Sequence, residues 1–154
     1  MIVRIKRTKV VGKGVAGIRS IPKRPARVKV GFPAGEADSD VINRATFNNF
    51  GTSTIPERPF MQNAMRDNRA SYRAGMIQGA KEIIRAAAAG KDPGQVMRRV
   101  LSKLGIKAQG DIQAEIASLQ SPPNAPSTIR QKGSSKPLIH SGELLGAVSF
   151  KIEE

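Results

Sequence analysis

Apolar and polar residues alternate over residues 27–32. Val28, Val30 and Phe32 share one face, and Arg27, Lys29 and Gly31 share the other, the period-two signature of a half-buried strand. A second alternating run begins at Val41, with Ala45 and Phe47 on one face and Thr46 and Asn48 on the other. It predicts a strand near 41–50, paired with the first as an antiparallel hairpin across the loop PAGEADSD. After this run comes Gly51, which suits a sharp exit at positive φ. Pro56 and Pro59 then stiffen the path, and Pro59 fits a first helical position, where a missing N–H costs nothing.

From Pro59 the period lengthens. Met61, Met65, Tyr72, Met76, Ala80, Ile83 and Ala87 fall on one helical stripe, with Ala64 and Ile84 beside it, which predicts a long helix near 59–89 with its stripe in the core. Gly75 and Gly79 weaken that helix and admit a close neighbour. Gly90 ends it. Asp92-Pro93 is a restart signal, an N-cap followed by proline at the first helical position. Val96, Met97, Val100, Leu101 and Leu104, then Ile112, Ile116 and Leu119, give an apolar face near 93–120, read as one helix with a weak middle or as two. Ser121-Pro122-Pro123 terminates it. Residues 126–132 suit a short helix closed by Gly133, and Ser141 is placed to cap a single turn through Leu145. Val148, Phe150 and Ile152 alternate and predict a last strand near 147–153. Strands at both ends with helices between define an α+β fold, a small antiparallel sheet packed with long helices.

Composition narrows the class. The 154 residues favour one domain with a real core. Residues 26–154 form that domain, and residues 1–25 a basic arm. Twenty-six Lys and Arg against 12 Asp and Glu leave a net charge of +14, which favours an acidic partner, whether nucleic acid, anionic surface or protein. There is no cysteine, hence no disulfide framework and no thiolate chemistry. No apolar run approaches a membrane span, and basic residues interrupt every apolar run near the N-terminus, so no signal peptide is visible.

Catalytic and ligand-binding patterns are weak. Gly12, Gly14 and Gly17 have GxGxxG spacing, but Pro22 and Pro25 break the helix that a dinucleotide site needs. His140 is the only histidine, so a common zinc site has no second imidazole, and its neighbour Ser141 does not make a triad. Glu36, Asp38 and Asp40 lack EF-hand spacing. The expectation is a non-enzymatic protein without metal or cofactor. A nucleic-acid reading draws on Arg4, Lys6, Arg7, Lys9 and Lys13, on Lys23, Arg24, Arg27 and Lys29, and on Arg66, Arg69, Arg73, Arg98, Arg99 and Lys103. Aromatics are only 4% of the chain, however, and they occupy apolar faces rather than a stacking platform.

Two stretches carry a family resemblance. FGTSTIPERPFM contributes Gly51, Ile55, Pro56, Arg58, Pro59 and Phe60. PPNAPSTIRQKGSSKPLIHSGELLGAVSFKI contributes Pro126, Thr128, Lys132, Gly133, Pro137, Leu138, Ser141, Gly142 and Leu144. In that order, with helices between, they resemble the neck, tail-completion and virion-morphogenesis proteins of lambdoid and Mu-like tailed phages. His140 stands where that family commonly has aspartate. The resemblance spans residues 26–154. It implies a structural virion protein that completes the tail and/or joins it to the DNA-filled head within a homo-oligomeric ring, taken as hexameric. The implied partners are other neck, connector and tail proteins, with DNA passing through the ring and no membrane. The implied location is the virion neck or tail top, after assembly in the host cytoplasm. A tail terminator capping the tube and a basic nucleic-acid-binding protein are the alternatives. The motif residues read as structural: Phe60 plugs the core, the prolines set the helix entry and Arg58 satisfies carbonyls. Arg4, Lys6, Arg7 and Lys9, with Glu36, Asp38 and Asp40, are candidate subunit contacts of opposite sign.

Overall fold

The computed structural model describes residues 21, 26–33 and 35–153. All of the basic arm but Ile21, including Arg4, Lys6, Arg7, Lys9 and the glycine run at 12–17, lies outside the described residues. The described chain is α+β. Strand β1 (Arg27–Gly31) is followed by helices α1 (Ser39–Phe50), α2 (Phe60–Asp67), α3 (Arg69–Ala88), α4 (Pro93–Ser118), α5 (Pro126–Lys132) and α6 (Glu143–Gly146), then by strand β2 (Ser149–Glu153).

The two strands pair with each other as an antiparallel ribbon, with Arg27 opposite Glu153 and Gly31 opposite Ser149. Both lie against α4. Gly105 permits this approach, because a Cβ there would fall 2.3 Å from Phe150 Cδ2.

The predicted strand near 41–50 is instead helix α1, so the predicted hairpin does not form. Its buried residues are Val41, Ala45 and Asn49, spaced by four rather than two. Asp38 starts the helix: its carboxylate accepts the Asp40 N–H at 2.9 Å, which satisfies one of the unpaired first-turn donors. Phe47, assigned inward by the strand reading, is 46% exposed, and Phe50 is 65% exposed.

The predicted helix near 59–89 is interrupted at Asn68, whose φ of −98° and ψ of 7° lie off the helical values. The Asn68 side chain donates to the Ala64 carbonyl at 3.0 Å, competing with the helical ladder. The interruption shifts the phase of the stripe. Ala64 is buried in α2, whereas Met76, Ala80 and Ile84 of α3 are exposed, and Gly79, Ala86 and Ala87 take the inner positions. Helix α4 runs without a break for 26 residues, and Asp92 caps it by accepting the Gly94 N–H at 2.8 Å.

The main core gathers Val41, Ala45, Phe60, Ala64, Ile112, Ile116, Leu119, Leu138, Leu144 and Val148. Phe60 is fully buried, and the Phe32 ring meets it edge-on at 6.2 Å. One side of this core is therefore built by the C-terminal segment.

Candidate functional site

The segment between α1 and α2 turns at Gly51, whose φ of 73° favours glycine. Thr52 then organises the turn. Its hydroxyl accepts the Thr54 and Ile55 N–H groups, and its own N–H donates to the Ile55 carbonyl at 2.8 Å. The chain returns along α1, where the Arg58 N–H donates to the Asn48 carbonyl at 2.7 Å. Buried Asn49 accepts the Met61 N–H at 3.1 Å, satisfying an early donor of α2.

This path delivers the Arg58 side chain into the protein, where it is 3% exposed. Its Nε donates to the Pro122 carbonyl at 2.8 Å, and Nη1 to Asn48 Oδ1 at 3.0 Å. Nη2 donates to the Pro123 carbonyl at 3.0 Å and to Asn124 Oδ1 at 3.2 Å. All four acceptors are neutral. Burial pulls the guanidinium below its ordinary pKa. The planar fork thus ties α1 to the chain beyond α4, a geometry that an ammonium cannot reproduce.

The second motif closes the same region. Helix α5 ends at Gly133 in the left-handed conformation. Lys132 turns back and donates to the Lys136 and Pro137 carbonyls at 3.2 and 3.0 Å. Burial chiefly, and the nearby Arg58 charge secondarily, hold the Lys132 ammonium below its usual range. Pro137 is buried, and Leu138 and Leu144 enter the core. A cleft of about 600 Å³ lies over the junction, lined by Ile55, Pro56, Arg58, Asn124, Thr128 and Lys132 among others. A smaller one of about 190 Å³ includes Arg44, Lys132, His140 and Glu143. His140 is exposed on its rim.

The structure therefore brings Ile55, Pro56, Arg58, Pro137 and Leu138 together around one junction. Gly51 shapes the approach from α1, and Gly133 and Gly142 are turns with positive φ. The acidic candidates lie elsewhere, at the start of α1. Asp38 caps that helix, Asp40 pairs with Arg44 at 3.1 Å and Glu36 accepts the Ser149 hydroxyl at 2.7 Å. Arg44 also holds Glu143 at 2.6 Å, and that bond, chiefly, keeps the Glu143 carboxyl below the usual carboxylate range.

Sequence reasoning missed Asn48 and Asn49, because a strand reading gave them no inward role. It also missed the cluster that pins the Asn68 interruption to α4. Tyr72 donates to Asp111 at 2.6 Å, and Lys107 bonds the same carboxylate at 2.8 Å while lying 5.5 Å from the Tyr72 ring centre. The i,i+4 spacing of Lys107 and Asp111 was the one available signal. Among the described residues no helix is long and apolar enough to cross a membrane. Compared with known proteins, the chain matches no family model, no curated protein and no solved structure.

Proposed function

We propose that the protein is a structural assembly component of a tailed-phage virion, completing the tail and/or joining it to the filled head as part of a neck ring. The observation that supports this reading is the junction at Arg58. The two stretches that carry the family resemblance are separated by the sixty residues 62–121, and they converge on one core and one hydrogen-bonded clamp. Phe60, Leu138 and Leu144 fill the core, and Arg58 and Lys132 hold backbone carbonyls. On this reading the work falls to the surfaces that the frame presents, toward neighbouring copies and toward neck, connector and tail proteins. A net charge of +14 suits a ring through which DNA passes.

Electron microscopy of a lysate from phage lacking this gene tests the proposal. Full heads beside separate tails of normal length are the expected result. Tails of uncontrolled length would move the assignment to a tail terminator, and normal infectious particles would overturn both.

One observation favours a second reading. Arg69, Arg73, Lys81 and Arg85 of α3 are exposed and make no ion pair among the described residues. A nucleic-acid-binding protein would use such a row for phosphates. It would bind DNA tightly at physiological salt and lose affinity steeply as salt rises.

A further inference from the structure

Two helices present outward faces that mix apolar and charged residues. On α1, Asp40, Asn43, Phe47 and Phe50 share the exposed side. Glu36 and Asp38 precede them, so this face is acidic at its N-terminal end and aromatic at its C-terminal end. On α3, Arg69, Arg73, Met76, Ile77, Ala80 and Ile84 share the exposed side. That face is basic at its N-terminal end and aliphatic beyond. Phe50, Met76, Ile77 and Ile84 are all at least 49% exposed, and apolar side chains grouped in this way mark interaction surfaces.

The two faces also match in spacing. From Asp40, Phe47 is seven residues on and Phe50 ten. From Arg73, Ala80 is seven residues on and Ile84 eleven. At about 1.5 Å per residue, a parallel alignment that sets Asp40 against Arg73 places Phe47 over Ala80, whose small side chain leaves room for a ring. It sets Phe50 near Ile84 and Asn43 beside Met76. Glu36 and Asp38 lie just before α1 as Arg69 opens α3, so the acidic and basic ends coincide in this alignment. The acidic end keeps unspent charge, because Arg44 is the only cation that pairs with a carboxylate there among the described residues.

We propose that the outer face of α1 in one copy docks, in parallel, along the outer face of α3 in the next copy of this chain. The occupant is a second copy because the chain carries both halves of a complementary pair, matched in sign and in spacing. Two different faces make the contact heterologous, so it leaves each copy able to engage two neighbours. How such contacts close into a ring rests on the neck reading; the contact itself does not.

The chain has no cysteine, so engineered thiols report cleanly. The variants N43C and M76C place one thiol on each face at exposed positions, and melting curves would first establish that each is folded. Under mild oxidation of the nuclease-treated full chain at physiological salt, a mixture of the two should yield a cross-linked heterodimer. Either variant alone should give no cross-link. Adding R69E and R73E to the M76C chain should lower the yield at least about tenfold, since like charges then face each other. Adding E36K and D40K to the N43C chain should restore it. Absence of the heterodimer, equal cross-linking of either variant alone, or insensitivity to the charge reversals would each overturn the contact. Nucleic acid held through Arg69 and Arg73 without any cross-link would assign the α3 face to a polyanion and overturn it too. Phage lacking the gene separates this contact from the neck reading. Cross-links with normal particles leave the contact standing and remove the reading, and defective particles without cross-links do the reverse.

Discussion

The two ends of the molecule are held together by different means. Around Phe60 the interior is built from large side chains, with Ile112, Ile116 and Val148 almost wholly buried and the Arg58 fork tying three chain segments together. Where α3 crosses α4 the seam is thin. A Cβ on Gly75 would lie 2.8 Å from Leu104 Cδ2, and one on Gly79 would lie 2.2 Å from Val100 Cγ1. Close approach through small residues gives contact with little buried bulk, and it leaves Met76, Ile77 and Ile84 outside. The Phe60 end is filled by buried large side chains, and the α3–α4 end leaves apolar side chains exposed on α3 within one chain.

Substitutions test that contrast. Phe60→Ala should be the most damaging, costing about 3–5 kcal/mol and unfolding the domain as a unit in a denaturant titration. Arg58→Met should follow at about 2–4 kcal/mol, since it removes the four hydrogen bonds that tie α1 to the chain beyond α4. Arg58→Lys should recover only part of the loss. Gly79→Val forces a branched side chain against Val100 and should cost about 1–3 kcal/mol. Hydrogen exchange should rise in α3 and the first turns of α4 while the amides around Phe60 stay protected. Gly110 is a helical glycine of α4 with no atom near a built Cβ. Gly110→Ala should therefore stabilise the protein by about 0.5–1 kcal/mol, the opposite sign to Gly79→Val within one helical pair.

The smallest effect concerns pH. Glu143 titrates low because Arg44 holds it, with a further bond from Ser141. A depressed folded-state pKa contributes stability above the unfolded carboxylate value and loses it as pH falls through the folded value. A slight acid-side loss should appear in wild type and shrink in Arg44→Gln, where only the weaker Ser141 bond still lowers Glu143, read from melting temperature between neutral and acidic pH. An unchanged profile in that variant would remove Arg44 as the cause.

Much of this frame is legible in the residues. Val28 and Val30 alternate with charged neighbours, and β1 forms there. Asp92-Pro93 starts α4 by a capping bond that depends only on local geometry. Helix α1 reads as a strand because Val41, Ala45 and Phe47 fit a period of two, while the third buried position of the helical set is Asn49, a polar residue that the apolar pattern does not count. It is buried because it accepts from Met61, a partner twelve residues away. Pro122 and Pro123 read correctly as a stop signal. Their carbonyls serve Arg58 only because the fold returns them to α1, which spacing along the chain does not encode. The α3 stripe failed for a similar reason, since the interruption at Asn68 turned Met76 and Ile84 outward.

On the proposed reading, the work falls to the outer faces of α1 and α3. The most direct measurement is trans-complementation of phage lacking the gene by full-length protein carrying R69E and R73E, shown by melting curves to be folded. The account predicts full heads beside separate tails, with infectivity returning when the E36K/D40K chain is co-expressed. Wild-type yields of infectious particles from the R69E/R73E chain alone would contradict it.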